Sequence, residues 1–219
     1  HAHPDEKVRK EADELMALLT PIVKGFITEM SYVSTTLGMQ VFGGHGYIKE
    51  AGVEQYVRDA RINMIYEGTN GIQALDLLGR KVLLDGGSKL TKFGKMISDF
   101  VKAEAGNEAM KEFTGPLAEL GGEVQKVTME VMQKAMKNPD EVGAASVPYM
   151  HLLGHLVYGY FWARMAKIAL EKESQGDFYK SKLLTARFYF AKLLPETAAH
   201  LKQIRAGASS LMAMDAALF

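Results

Sequence analysis

The sequence predicts an all-α fold, and three observations carry that prediction. Apolar residues recur at three- and four-residue spacing through most of the 219 residues. The segments between these stretches are short and polar, "AGNEA", "TGP", "KNPD" and "SQGD" among them, where glycine and proline punctuate the chain. No run alternates apolar with polar residues over strand-like lengths.

The elements follow in order. Residues 5–19, "DEKVRKEADELMALL", place Val8, Ala12, Leu15, Met16 and Leu19 on one helical face, with charges opposite. Thr20 and Pro21 then read as an N-cap followed by proline at the first helical position, so a second helix is expected to start there. That helix carries Ile22, Val23, Phe26, Ile27, Met30, Val33 and Leu37 at helical spacing and ends at Gly43-Gly44. "GGHGYIKEAG" (43–52) reads as a glycine-rich turn, and 53–63 as a short helix. "MIYEG" is expected to be a brief extended or irregular connection, after which Thr69 or Asn70 caps a helix running to about Leu84.

From residue 90 the texture changes to long amphipathic stretches, 91–105, 116–137, 140–171 and 177–206. Leu153, Leu156, Val157, Tyr160, Phe161, Met165 and Ile168 form the apolar stripe of the third. Leu183, Leu184, Phe188, Phe190, Ala191, Leu194 and Ala198 form that of the last. Four helices joined by short polar turns predict an antiparallel bundle. The chain thus divides into residues 1–88, a first helical domain, and 89–219, a helical extension.

Bulk composition excludes several functions. With 47% hydrophobic and 24% charged residues, this is an ordinary globular composition. Lys+Arg and Asp+Glu are both 26, so the basic excess that a nucleic-acid or anionic-membrane surface needs is absent. The absence of cysteine excludes disulfides, thiolate catalysis and zinc–cysteine sites, and fits a reducing compartment. No stretch is long and apolar enough to span a bilayer. The start, "HAHPDEKVRKEADELM", has no initiator methionine and drops at once into helix-like sequence, as expected of a tag remnant followed by part of a longer chain.

Two motifs invite chemistry. In "QVFGGHGY" (40–47), paired glycines let a backbone approach another surface closely, and their amides suit phosphate or pyrophosphate oxygens. An ordinary glycine-rich helix C-cap explains the same residues. It is not a dinucleotide fingerprint, because no strand precedes it. In "YVRDARINMIYEGTN" (56–70), Glu67 stands between bulky apolar residues and Gly68. A carboxylate so flanked gains basicity once a substrate excludes water, which suits a general base taking a proton from carbon. The competing reading makes Glu67 a solvated loop residue paired with Arg58 or Arg61.

The histidines point to no metal site. His1 and His3 are terminal, and His45 and His200 are scattered. His151 and His155 stand four apart, but "HLLGH" lacks the glutamate of the metalloprotease pattern, so both read as core or interface histidines. The 13 methionines and "YGYFWARM" read as core filling.

The two motifs occur together and in order. "QVFGGHGYIKE" and "VEQYVRDARINMIYEGTNGIQALDLLGRK" resemble the C-terminal helical domain of flavin-dependent acyl-CoA dehydrogenases, contiguously over about residues 20–83. By that resemblance Gln40, Val41, Phe42, Gly43 and Gly44 match the segment that touches FAD, usually the FAD of a neighbouring subunit. Glu67 matches the catalytic base that removes the proton alpha to the thioester while hydride leaves the beta carbon for the flavin. Gly68 matches a position lining the substrate path, and Thr69 and Asn70 match residues beside the FAD phosphates and adenine. Many members carry Gln where this chain has Gly71, and that Gln helps hold FAD. A larger subfamily, which includes 3-methylmercaptopropionyl-CoA dehydrogenase-like enzymes, has glycine there and an extra helical C-terminal region resembling the stretch from residue 90 onward.

The resemblance implies an oxidoreductase acting on an acyl-CoA, with FAD, an electron-transfer flavoprotein as redox partner, a homo-oligomer, and a bacterial cytoplasm or mitochondrial matrix. It also implies an N-terminal helical domain and a middle β domain that this sequence does not contain. The isolated chain is therefore expected to fold, to show little or no dehydrogenase activity, and to bind FAD weakly or not at all. Two further readings are an assembly or binding module that kept the fold and lost the chemistry, and an acyl-CoA oxidase.

Overall fold

The computed structural model describes residues 2–218; His1, read above as a terminal residue, lies outside the described residues, as does Phe219. Among the described residues there is no strand. The helices are α1 (Glu6–Ile22), α2 (Thr28–Val41), α3 (Gly44–Tyr47), α4 (Val53–Ile62), α5 (Asn70–Leu75), α6 (Ser88–Ala103), α7 (Lys111–Ala135), α8 (Asp140–Glu171), α9 (Asp177–Phe188), α10 (Thr197–Ala206) and α11 (Ser209–Met212). Wider π-helical turns occupy Val23–Ile27, Asp76–Leu83 and Tyr189–Leu193.

The expected break at Thr20-Pro21 does not occur. Pro21 sits inside α1, and the backbone stays helical through the π turn at Val23–Ile27 into α2. Proline removes one helical hydrogen bond. Burial outweighs that loss: Leu18, Pro21, Ile22 and Phe26 all face the core, and Phe26 is fully buried. The Thr20 hydroxyl turns back to donate to the Met16 carbonyl at 2.7 Å instead of capping a new helix.

The apolar face expected on α1 needs correcting for the same reason. Val8 and Met16 are exposed, Leu15 and Leu19 are half-buried, and Leu18 makes the deepest contact. Residues 22–37 are apolar around much of the helix, so one side enters the core while Val23, Val33 and Leu37 stay exposed. Helices α2 and α4 pack on each other as a projecting hairpin, and α2 has no fully buried residue.

Helix α8 is the centre of the molecule. α7, α9 and α10 pack along it, and α5 and the following π turn close its other side. A single hydrophobic core runs from Leu18 and Phe26 through Leu77 and Leu78 to Ala166 and Ile204, across both halves of the sequence. Gly154 of α8 receives the Phe26 ring so closely that a Cβ there would stand 2.3 Å from it. The buried Thr128 and Tyr149 hydroxyls pair at 2.6 Å and join α7 to α8. At the end of α6, Glu104 accepts from Lys167 of α8 at 2.5 Å.

Candidate active site

The loop between α4 and α5 is built by local hydrogen bonds. The Tyr66 hydroxyl donates to Asn63 Oδ1 at 3.0 Å, and the Asn70 backbone amide donates to the Met64 carbonyl at 3.2 Å, closing the turn. Inside it, Glu67 adopts φ 54°, the left-handed conformation that non-glycine residues rarely take, and Gly68 follows at φ 89°. The conformation selects glycine there; a Cβ at residue 68 would stand 2.7 Å from Gln73 Nε2, which can turn aside at the end of its flexible side chain. Thr69 precedes the first residue of α5, but its side chain makes no capping bond.

Asn70 anchors the far end of the loop. It is buried, and its amide nitrogen donates to the Gly25 carbonyl and to Glu29 Oε1, each at 3.1 Å. The Thr28 hydroxyl lies 3.2 Å from its Oδ1. Gly25 belongs to the π turn, where the wider helical pitch leaves a carbonyl available for a side chain. Glu29 also meets His151 Nε2 at 2.5 Å. Burial alone pushes the Glu29 carboxyl up, but the bonds from His151 and Asn70 outweigh it and hold the group below the usual carboxylate range.

Glu67 stands on the rim of a groove of about 770 Å³, lined by Leu15, Met16, Leu19, Val23 and Ile27 with Lys24, Thr28, Asn63 and Tyr66. That is the size range of small-molecule sites. Lys24 is tethered by the Asn63 carbonyl and stands 5.5 Å over the Tyr66 ring. Among the described residues Glu67 takes part in no salt bridge. Arg58 is exposed, and Arg61 lies over the Tyr32 ring and reaches Met64 Sδ. The expected pairing with Arg58 or Arg61 is therefore absent, and the Glu67 carboxylate is exposed.

Gln40, Val41, Phe42, Gly43 and Gly44 lie at the opposite end of α2. Fourteen residues separate the two ends, or about 20 Å at the helical rise. The turn is presented outward: Val41 is 86% exposed and Phe42 60%. Gly43 has φ 58°, and nothing approaches within 4 Å of a Cβ built at Gly43 or Gly44. One chain therefore joins Glu67, Gly68, Thr69 and Asn70 in one loop and holds the glycine turn apart from them.

A second polar cluster escaped the sequence reading. His155 is 3% exposed, and burial followed by the nearby His200 and His151 rings pushes it down to about 4, so the ring is neutral at neutral pH. His200 of α10 stacks on His151 at 5.0 Å and lies 6.0 Å from His155. The signal available in the sequence was Glu196 and His200, four apart, a pairing across from α8 and not within it.

Fold and site together define an all-helical module with an exposed carboxylate, without an ion pair among the described residues, beside a largely apolar groove of small-molecule size. Comparison with known proteins gives that class its family. The family model described as acyl-CoA dehydrogenase, C-terminal domain, matches residues 7–83, and the one described as acetyl-CoA dehydrogenase C-terminal like matches 93–215. The chain is 37% identical over 214 residues to a 3-methylmercaptopropionyl-CoA dehydrogenase of Ruegeria pomeroyi, covering 96% of this chain and 36% of that protein. A broad-specificity linear acyl-CoA dehydrogenase of Mycobacterium tuberculosis is 32% identical, with 98% and 37% covered. A butyryl-CoA dehydrogenase of Syntrophomonas wolfei is 27% identical, with 100% and 37% covered. The chain belongs to the acyl-CoA dehydrogenase family, and it spans about a third of the length of these relatives. No helix among the described residues is long and apolar enough to cross a membrane.

Proposed function

We propose that this chain supplies the base and the C-terminal wall of an FAD-dependent acyl-CoA dehydrogenase, with Glu67 removing the alpha proton of the bound thioester. The observation that carries this reading is Glu67 itself: a carboxylate in a left-handed turn, without an ion pair, on the rim of an apolar groove. A structural carboxylate has a partner, and a merely solvated one has no reason to sit in a costly conformation. An alpha proton is weakly acidic, so its base must be aimed closely and kept from competing water. The anchors at Asn63–Tyr66 and at Asn70 fix the aim, and the leucine, valine and isoleucine walls exclude water once an acyl chain fills the groove.

FAD, when bound, accepts the hydride that leaves the beta carbon. The outward Gln40–Gly44 turn, with its open glycine backbone and exposed Val41 and Phe42, fits a close contact with such a cofactor. Its distance from Glu67 fits service to the site of a neighbouring subunit in a homo-oligomer. Thr69 has a free side chain suited to a direct contact, whereas the Asn70 amide is already engaged within the chain, so its contribution is to hold the loop. The gap between the two family matches, at 83 and 93, supports a division of the chain at about residue 88. An electron-transfer flavoprotein as redox partner and a bacterial cytoplasmic or mitochondrial-matrix location follow from the family alone.

With Glu67 and its groove open to solvent here, the 219-residue chain alone is expected to turn over acyl-CoA negligibly and to bind FAD weakly or not at all. Robust turnover by the purified chain with an artificial electron acceptor would refute that. In the full-length parent, Glu67→Gln should abolish dehydrogenation and leave flavin binding largely intact, because it keeps the shape and removes the base. Activity surviving within a few-fold would remove Glu67 from the mechanism.

A further inference from the structure

The cluster where α10 crosses α8 holds none of the residues proposed above to act on acyl-CoA or FAD, yet it is arranged as a ligand set. His155, Glu196 and His200 each offer one ligand atom, and these atoms all lie within 4.8 Å of one another. Glu196 and His200 stand one helical turn apart at the start of α10, and His155 faces them from the middle of α8.

Hydrogen bonding sets the tautomers. The Tyr189 hydroxyl donates to the His155 backbone carbonyl at 3.1 Å, and the same oxygen lies 3.1 Å from His155 Nδ1. With its proton directed to the carbonyl, the tyrosine oxygen accepts from Nδ1, so Nδ1 carries the ring hydrogen and Nε2 is a bare lone pair. That lone pair is buried and has no hydrogen-bond partner. Glu196 Oε2, 3.8 Å away, is itself an acceptor and cannot satisfy it. A buried acceptor facing a carboxylate is unfavourable for a fold to keep, unless a cation lies between them. His200 repeats the arrangement: its Nδ1 is 3.1 Å from Gln203 Oε1, which only accepts, leaving Nε2 free. Histidines that bind metals hold their outer N–H in this way.

We propose that His155 Nε2, Glu196 and His200 Nε2 bind a divalent transition-metal ion of the zinc class, clamping the start of α10 to the middle of α8. Two neutral imidazoles and one carboxylate suit Zn²⁺, Co²⁺ or Ni²⁺ and not the all-oxygen preference of Mg²⁺ or Ca²⁺. Bonds of about 2.0–2.2 Å require the three ligand atoms to close on one another by roughly an ångström, within the reach of side-chain rotation. Glu196, with a side chain 57% exposed, opens the site to solvent for metal entry. His151 is not a ligand, because its Nε2 is held by Glu29; its ring forms the wall on which His200 stacks.

The test is a Co²⁺ titration of the chelator-treated chain, read by visible d–d absorption, followed by displacement with Zn²⁺. One equivalent should bind with a low-symmetry cobalt spectrum. The apparent Kd should rise at least about tenfold in His200→Ala and in Glu196→Gln, both outside the buried core, and should not change in His3→Ala. Zn²⁺ should raise the melting temperature of the parent chain and leave that of His200→Ala unmoved. The proposal is overturned if the parent chain gives no such spectrum, if both variants bind as it does, or if His3→Ala alone abolishes binding.

Discussion

The left-handed turn at residue 67 makes a stability argument that can be separated from catalysis. A non-glycine residue at φ 54° costs about 1 kcal/mol relative to one in an ordinary region. Glu67 is exposed and takes part in no salt bridge among the described residues, so replacing it removes no compensating contact. Asparagine tolerates the left-handed region without glycine's extra unfolded-state entropy, and Glu67→Asn should recover about half of that cost. Unfolding entropy for 219 residues is about 460 cal/mol/K, so the gain is about 1 °C in melting temperature. Glu67→Ala keeps the strain and should leave the melting temperature unchanged. Gly68→Ala should lower it by about 2–4 °C, since φ 89° strains any side chain, while the Gln73 amide can turn away from the new Cβ. Scanning calorimetry of the four chains at neutral pH resolves this order. If Glu67→Asn and Glu67→Ala both melt several degrees lower, the Glu67 side chain has a structural partner and its conformation is no evidence for a catalytic role.

Other perturbations test the surrounding framework. Asn70→Ala removes one hydrogen bond each from the Gly25 carbonyl, which keeps Thr28, and from Glu29, which keeps His151. It should cost about 1–2 kcal/mol, read by denaturant unfolding, with faster hydrogen exchange of the loop amides. Gly154→Ala drives a Cβ into the Phe26 ring, which His151, His155 and Tyr158 hold edge-on, and should cost about 1–3 kcal/mol or more. Gly25→Ala should cost less, although its nearest atom is as close, because Met150 can rotate its thioether away. The bond from Lys167 holds the Glu104 carboxyl below its ordinary value of 4.5, so this contribution is complete above that pH and is lost as pH falls below it. Glu104→Gln should therefore flatten the acid limb of the stability curve as well as lower its plateau.

The all-helical body was legible because helical periodicity and most polar turns are local signals, and 140–171 was bounded to the residue. The stretch 177–206 was right at its two ends but breaks at Tyr189–Glu196 into α9 and α10, and "TGP", read as a separator, lies inside α7. What was misread depended on distant partners. Pro21 has the local signature of a helix start, and only the burial of Leu18, Ile22 and Phe26 against α8 explains why the helix continues through it. The stripe on α2 was correctly periodic but could not announce that much of it stays uncovered in this chain. Within the candidate site, Glu67 was singled out from its apolar neighbours, while its left-handed backbone and the role of Asn70 were not. Asn70 reaches Gly25 and Glu29 across more than forty residues of sequence, and no spacing rule connects them. The histidine cluster was missed because His151 and His155 were weighed as a pair on one helix, whereas the converging groups come from α8 and α10.

These long-range contacts join into one structural chain behind the candidate base. Asn70 ties the start of α5 to the π turn; Glu29, at the start of α2 and one turn on from Gly25, holds the same Asn70; and His151 holds Glu29 from α8. His200 of α10 stacks against the far side of that histidine. The position of Glu67 is therefore set from two directions. The local turn at Asn63–Tyr66 fixes where the loop begins, and a polar relay rooted in the C-terminal helices fixes where it ends. The extension beyond residue 90 then has a physical role in the site without touching substrate: it supplies His151, without which Glu29 would be a half-buried carboxylate with only Asn70 and the more distant Arg61 charge to hold it. A helical domain ending near residue 88 would need some other group to hold Glu29. That requirement ties the two halves of the chain together more specifically than the shared hydrophobic core does, because apolar packing tolerates substitution and a directional relay does not.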